Sequence, residues 1–450
     1  MIEKFSHLFH VQGHDHTATA YRYLCGLVQT ERANMECMEE AVAGLEYQAT
    51  QQFLTDSPWP PRPVLDAVAL EASALFGDAA ATAMLIDETS FIKKGKESAG
   101  VARQWSGRLG KVENCQVAVF GVLSAGARAL PVDCRLYLPQ EWIRDPARCR
   151  KAGIPEAESA GLRTKPELAL EIVRHQRALG VAFQWVGADG LYGNDPAFLR
   201  ALDDDGERFA IDVHADQRIY LEDPCPRAPE FKGRGRKPLR LKTQAAPVRV
   251  DKYVAGLAAA RWQRLSVRAA ENGPLQIDFQ RSVVWVWDGA EPRARRWQLA
   301  VRRDVPSGQL KYSLSNAADA VPDLELAQAQ AQRFWIERAF EDAKKEARMA
   351  GYQVRQWLAW QHHIALVMLV LLFMTRQRMV LAEEHPLLTC HDIRCLLAFF
   401  LPRRAASEAE ILRQMEVRHR KRLAARRVPR DGLQTPPNAQ MINISKPDGP

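Results

Sequence analysis

The chain reads as an α/β protein. It predicts a mixed sheet with helices on its faces, a β-rich insert, a helical N-terminal domain and a helical C-terminal region. Three observations predict this. Apolar runs and helical patterns alternate in the order β-β-β-α-β-α-β between residues 81 and 214. Period-two segments dominate from Val248 to Leu314. Helical periodicity prevails before residue 80 and again from residue 319.

From Tyr21 to Phe76, apolar residues recur three and four apart with charges between them. The Pro-rich SPWPPRP at 57–63 interrupts this pattern, and a second helix is predicted from Val64 to Phe76. Residues 1–80 are therefore read as a helical domain. Ala83–Ile86 is an apolar, strand-like run that ends in Asp87. Val117–Ser124 and Arg128–Leu138 are two further strands, joined by a hairpin at Ala125-Gly126-Ala127. Pro166–Leu179 fits a helix with Gly180 as its stop. Ala182–Ala188 is a fourth strand, running into Asp189; Pro196–Leu202 suits a helix and Phe209–Val213 a fifth strand.

Residues 224–246, broken by Pro, Gly and basic residues, read as a loop within an insert spanning 215–318 that carries three to five strands. Helices are predicted from Pro322 to Arg348 and from Tyr352 to Leu381, within 319–382. Residues 383–450 hold C-terminal helices and a basic tail, RHRKRLAARRVPR and a Pro- and Asn-rich end, expected to be disordered.

At 450 residues the chain can fill about three domains of roughly 150 residues each. With 47% apolar and 26% charged residues it is globular in composition. A net charge of +8 suits an anionic partner such as DNA. The eight cysteines form no C-x-x-C pair, so reduced thiols and a cytoplasmic location are expected. Cys390-His391 and Cys395 lack the second pair a zinc site needs. The longest apolar run, Ile364–Met374, is too short to cross about 30 Å of hydrocarbon at about 1.5 Å per residue and reads as a buried helix.

Asp87 and Asp189 both fall where strands are expected to give way to loops, the rim where α/β sheets bind ligands. A lone aspartate there more often caps a turn. On the later helix, Arg333, Glu337, Glu341 and Lys344 are spaced 4, 4 and 3 and share one stripe. Taken alone, that stripe is a solvated face laced with ion pairs. Phe334, Ile336, Phe340 and Ala343 make a second, apolar stripe expected to face the sheet, with Glu337 bordering it. Three carboxylates gathered in a basic protein would repel one another unless a hard divalent cation joined them. Lys93, Lys94, Lys96, Arg103, Arg108 and Lys111, set among glycines, read as a loop able to hold phosphates. Trp285 and Trp287 share one face of an insert strand, where a small sheet core is the commoner use. His362-His363 has no third ligand in register and reads as structural.

Several blocks, in order, carry a more specific signal: QQFLTDSPWP (51–60), IDETS followed by KKGKESAGVARQWSGRLGKVENCQVAV, LYLPQEWIRDPARCRKAGIPE (136–156), ADGLYG (188–193) and IERAFEDAK (336–344). Over roughly residues 20–400 the chain resembles the DDE transposases of bacterial insertion sequences, in the branch typified by insertion sequence seven-hundred-and-one. The resemblance implies a ribonuclease-H-like fold, with the β-insert between the fifth strand and a helix that carries the glutamate. It places the catalytic and metal-ligating acids on Asp87, Asp189 and Glu337, with Glu341 as a rival third acid.

The related group's helix pattern puts its Arg on Arg333 and its Lys on Lys344. Its Tyr position holds Gln330, a departure that bears on any terminal-phosphate contact or hairpin-based excision step attributed to that Tyr. Two Mg²⁺ or Mn²⁺ ions are implied as cofactors. Double-stranded DNA (terminal inverted repeats and target) is the implied partner, with a homodimer in the nucleoid region of a bacterial cytoplasm. Lys93, Lys94, Lys96, Arg103, Lys111, Arg333 and Lys344 are the expected phosphate contacts; the N-terminal domain and basic tail are expected to read the element's ends. A metal-dependent nuclease without strand transfer and a non-enzymatic DNA-binding regulator are the alternatives.

Overall fold

The structure, a computed structural model, describes residues 2–77, 82–107, 109–230, 240–270 and 273–427. Arg108, residues 231–239 of the basic loop and the tail from residue 428 lie outside the described residues. Residues 1–402 form one compact unit and residues 403–450 a second, whose described part contains the helix Glu408–Arg427.

The N-terminal residues fold into the helices Thr17–Gln29, Met35–Ala41 and Tyr47–Thr55, followed by α1 (Pro61–Phe76). α1 starts where proline is tolerated, in the first helical turn, and stops at Gly77, whose φ of +66° suits glycine. Its buried face, Val64, Leu65, Val68, Ala69 and Ala72, packs against the sheet and a long C-terminal helix.

The sheet is built around β1 (Thr82–Ile92), β2 (Ala102–Ser106), β3 (Lys111–Ala125), β4 (Arg128–Leu136), β5 (Trp185–Ala188) and β6 (Ala210–Val213). β3 pairs antiparallel with β1 from Ile92↔Cys115 to Thr82↔Ala125. Its other edge takes β2 and then β4, both antiparallel. β1 in turn pairs parallel with β5, from Ala83↔Trp185 to Ile86↔Ala188. The residues read as a basic loop at 102–111 are thus largely a β-hairpin, β2 against the start of β3, because apolar and polar residues alternate there well enough to pair.

β1 also outruns its expected end. Asp87 lies inside the strand, since β3 keeps pairing with it as far as Ile92. What stops near Asp87 is the parallel neighbour β5. α2 (Lys165–Leu179) lies between β4 and β5 in the chain, opened by a Thr164–Glu167 capping box and closed by Gly180 at φ +87°.

The insert does not form a separate sheet. β7 (Gln263–Ala270), β8 (Gly273–Val286), β9 (Arg295–Asp304) and β10 (Leu310–Ser315) pair antiparallel in sequence order, and β10 then pairs with β6. β6 touches β5 through a parallel bridge, Val186↔Phe209, so the two sheets run on from each other. Towards the end of β8 the buried positions are Ser282, Val284 and Val286, while Trp285, and Trp287 just beyond the strand, are half-buried. The core role expected for the two tryptophans is corrected accordingly, and Trp287 spends its Nε1–H on the Glu291 carbonyl at 2.8 Å.

The charged helix expected from Pro322 to Arg348 is two helices, α3 (Asp323–Gln332) and α4 (Phe334–Lys345), jointed at Arg333. Ile336, Phe340 and Ala343 face inward as expected, whereas Phe334 is 44% exposed and carries the Arg268 guanidinium 3.9 Å above its ring. α5 (Trp357–Val380) is longer than the apolar run it contains: its 24 residues could cross a membrane by length and composition. Inside this fold 78% of its apolar stretch is buried by protein. His362 sits between the Leu54 and Trp59 carbonyls at 2.9 and 2.8 Å. His363 meets Tyr23 Oη at 2.8 Å, and burial pushes its imidazole down to about 3.

Candidate active site

One cavity of about 890 Å³ gathers residues from β1, the turn after β5, and α4. Asp87, Asp189, Glu337 and Glu341 all line it, with Arg333 and Lys344. Residues some 250 positions apart in the chain thus meet because β1 and β5 are parallel neighbours and α4 packs on β1, β3 and β4.

Asp87 Oδ1 accepts the backbone N–H of Glu88 at 2.8 Å. Burial pushes its carboxyl up to about 8, reinforced by the like charges of Asp189 and Glu88 and only partly opposed by Arg333. Asp189 caps the short helix Gly190–Gly193, accepting the Leu191 N–H at 2.9 Å, so the ordinary turn-capping use is real. It also faces the cavity, and its carboxyl is raised by burial and then by Glu88. The glycines of ADGLYG serve packing: a Cβ at Gly193 would stand 1.9 Å from the Asp212 carbonyl oxygen.

Glu337 is 65% exposed, and its carboxylate lies 3.7 Å from Arg333 Nη2. Arg333 is the hub of the cluster. Its Nε donates to Asp212 at 3.0 Å and its Nη1 lies 3.7 Å from Asp87 Oδ2. Glu341 is tied down on its own helix instead, with Lys345 bonded to it and holding its carboxyl below the usual range, and Arg338 at 3.4 Å. Lys344 Nζ donates to Thr89 Oγ1 at the cavity wall.

The remaining basic residues divide. Lys94, Lys96, Arg103 and Lys111 are exposed, Lys111 lying 3.3 Å from Glu113. Lys93 turns inward: its ammonium lies 3.3 Å above the Tyr352 ring and 3.3 Å from the Tyr352 carbonyl. Its expected role as a phosphate contact is corrected on that ground. Gln330 is 2% exposed and donates to Ser313 Oγ at 2.7 Å, buried against β10.

Sequence reasoning missed Glu88, Asp212, His214 and Trp105. Glu88 lines the cavity between the two aspartates and binds Lys165 at 2.8 Å and Tyr192 Oη at 3.0 Å. It follows Asp87 directly, and alternation along a strand assigns neighbours to opposite faces, so the pattern hid it. Trp105, 57% exposed on β2, also lines the cavity; an aromatic on an edge hairpin was the available signal. Asp212 lies within the fifth strand and His214 just after it, and neither carried a local signal.

Among the described residues, no three His, Cys, Asp or Glu side chains converge closely enough to hold a metal ion together. Their chemistry nonetheless suits one. Asp87, Asp189 and Glu337 offer hard oxygen donors, and the two aspartates are poorly compensated as anions where they stand, a state that a cation would relieve.

An acid-rich cavity at the rim of a mixed sheet, edged by Arg333, Lys344 and Lys345, suits a protein that acts on phosphate chains. The chain belongs to the DDE superfamily endonucleases, whose family model matches residues 7–274, and is therefore an enzyme that cleaves nucleic acid. That match ends before α4. A probable transposase for insertion sequence element IS701 from Microchaete diplosiphon is 23% identical over 321 residues, covering 70% of this chain and 71% of that protein. The resemblance drawn from the ordered sequence blocks is met by both.

Proposed function

We propose that the chain is the transposase of an insertion sequence, cutting DNA at the element's terminal inverted repeats and joining the freed 3′-hydroxyl to target DNA. The observation that carries this is the convergence of Asp87, Asp189 and Glu337 on one cavity with Arg333 among them. β3 paired antiparallel with β1 and β4, and β1 paired parallel with β5, support a ribonuclease-H-like reading of residues 81–214 and 319–382, with 215–318 as the insert. Residues 1–80 and the basic region within 383–450 are the parts assigned to end recognition, and a homodimer acting on paired ends is the working unit.

Asp87, Asp189 and Glu337 would hold Mg²⁺ or Mn²⁺. When bound, such ions supply activation of the attacking oxygen and stabilisation of the departing one. Arg333 and Lys344 line the same cavity and would hold the scissile phosphate, offsetting the charge that spreads over its oxygens during displacement. Glu337 is favoured over Glu341 because Glu337 shares Arg333 with Asp87, whereas Glu341 is engaged by Lys345 and Arg338.

Glu337→Gln should abolish cleavage, beyond the roughly 10–100-fold typical of outer-shell changes, while DNA binding persists. An active Glu337→Gln beside a dead Glu341→Gln would move the third acid to 341. Supplying pre-cut ends separates a transposase from a plain nuclease: absence of joined product would leave only the nuclease.

A further inference from the structure

Arg333 directly meets Asp87, Glu337 and a third acid that does not line the cavity, Asp212. These pairings are unequal. Arg333 Nε donates to Asp212 Oδ2 at 3.0 Å, a hydrogen-bond length, whereas the two cavity carboxylates stand at 3.7 Å. Asp212 is itself fixed from behind. Its Oδ1 accepts from Ser313 Oγ at 2.6 Å, and Ser313 Oγ in turn accepts from Gln330 Nε2 at 2.7 Å. Ser313 is fully buried and Gln330 nearly so. The chain Gln330–Ser313–Asp212–Arg333 thus runs from α3 through the insert strand β10 and then β6 to the joint between α3 and α4. Arg302 and Lys311 of the insert also bear on Asp212 and on Arg333.

Resting on the cation-holding reading of Asp87, Asp189 and Glu337, we infer that Asp212 is a positioning residue that holds Arg333 back from the cavity acids and so keeps them open to a divalent cation. The physical reason is competition. A guanidinium with a close counter-charge at Asp212 has little to gain by closing on Asp87 and Glu337. With that charge removed, those two carboxylates become its nearest ion-pair partners. It would then occupy the position that the cation needs. An asparagine at 212 cannot restore the arrangement, because both aspartate oxygens accept hydrogen bonds and an amide offers only one accepting oxygen. The insert therefore acts on the site through Ser313.

The test is Mn²⁺ binding to the full-length protein, read by calorimetry and by the loss of free-ion paramagnetic resonance signal, without DNA. Asp212→Asn should weaken Mn²⁺ binding about tenfold or more, in the range of outer-shell substitutions. Placed on Arg333→Gln, the same substitution should change Mn²⁺ binding little, since the competitor is gone. Ser313→Ala, which keeps the charge but frees one oxygen, should give a smaller loss in the same direction. Equal Mn²⁺ binding by the wild type and Asp212→Asn would overturn the role of Asp212 while leaving the site intact. If Asp212→Asn does not fold, unchanged binding in Ser313→Ala overturns it. No Mn²⁺ uptake by the wild type would overturn the cation-holding site itself, and this inference with it.

Discussion

Two aspartates in neighbouring parts of one sheet, one buried and one half-buried, are treated in opposite ways. Asp133, on β4, is fully buried, and burial alone would raise its carboxyl. Arg135 and Arg62 outweigh that and hold it below the ordinary aspartate range, helped by hydrogen bonds. Its oxygens accept from Arg62 at 2.7 Å, from the Cys134 N–H at 2.7 Å, from Gln176 at 2.9 Å and from Arg135. Asp87, on β1, has one backbone donor, a guanidinium at 3.7 Å and two acids of its own sign, and its carboxyl rises to about 8. A buried charge satisfied inside the fold serves stability; one left among like charges marks a place that something outside the protein must complete.

The largest expected effect breaks the first half of that contrast. Asp133→Ala leaves Arg62 and Arg135 without their shared partner and should destabilise the fold by about 3 kcal/mol or more, read by urea denaturation. Asp87→Asn, measured in chelator, should cost nothing or stabilise. Equal losses in the two variants would erase the distinction.

Next in size is the pH dependence, which has opposite signs at the two sites. Asp133's folded value lies below its unfolded value near 3.8, so its contribution is present above that pH and is lost as pH falls through the folded value. Asp87's folded value lies above its unfolded value. Its contribution is complete below about pH 4 and is lost as pH rises through about 8. In chelator, Asp87→Asn should flatten the stability curve between those limits. A curve identical to that of the wild type would mean that Asp87 ionises normally.

Most of the strands and helices were legible because each has a local signature. Pro166–Leu179 with its Gly180 stop and the hairpin around Gly126 needed only periodicity and turn residues. Asp87, Asp189 and Glu337 were singled out through ordered sequence blocks, and what the fold adds is that all three line one cavity. What was hidden depends on partners distant in sequence. β1 runs past Asp87 only because β3 keeps pairing with it, and Phe334 faces outward because the helix is jointed at Arg333. Asp212 acquires meaning only from Ser313 and Arg333, each about a hundred residues away. Charge on a lysine was equally silent about direction.

Lysine direction gives the smallest test and carries the contrast to the basic residues. Lys93, Lys94 and Lys96 look alike in KKGK, yet only Lys93 is folded back, its ammonium packed on Tyr352 and its pKa lowered to about 7 by burial. A partly desolvated amine near neutrality contributes little counterion release, because release requires a cation that reaches phosphate. Lys93→Met should therefore leave the salt dependence of DNA affinity nearly unchanged. Lys94→Ala with Lys96→Ala, both exposed, should reduce the slope of log affinity against log salt by about 2, roughly one for each lysine–phosphate pairing removed. If instead Lys93→Met lowers the slope by as much as either neighbour, its side chain must leave Tyr352 to meet the backbone. The division between charges satisfied within the fold and charges directed outward would then fail among the cations, whatever the aspartates do.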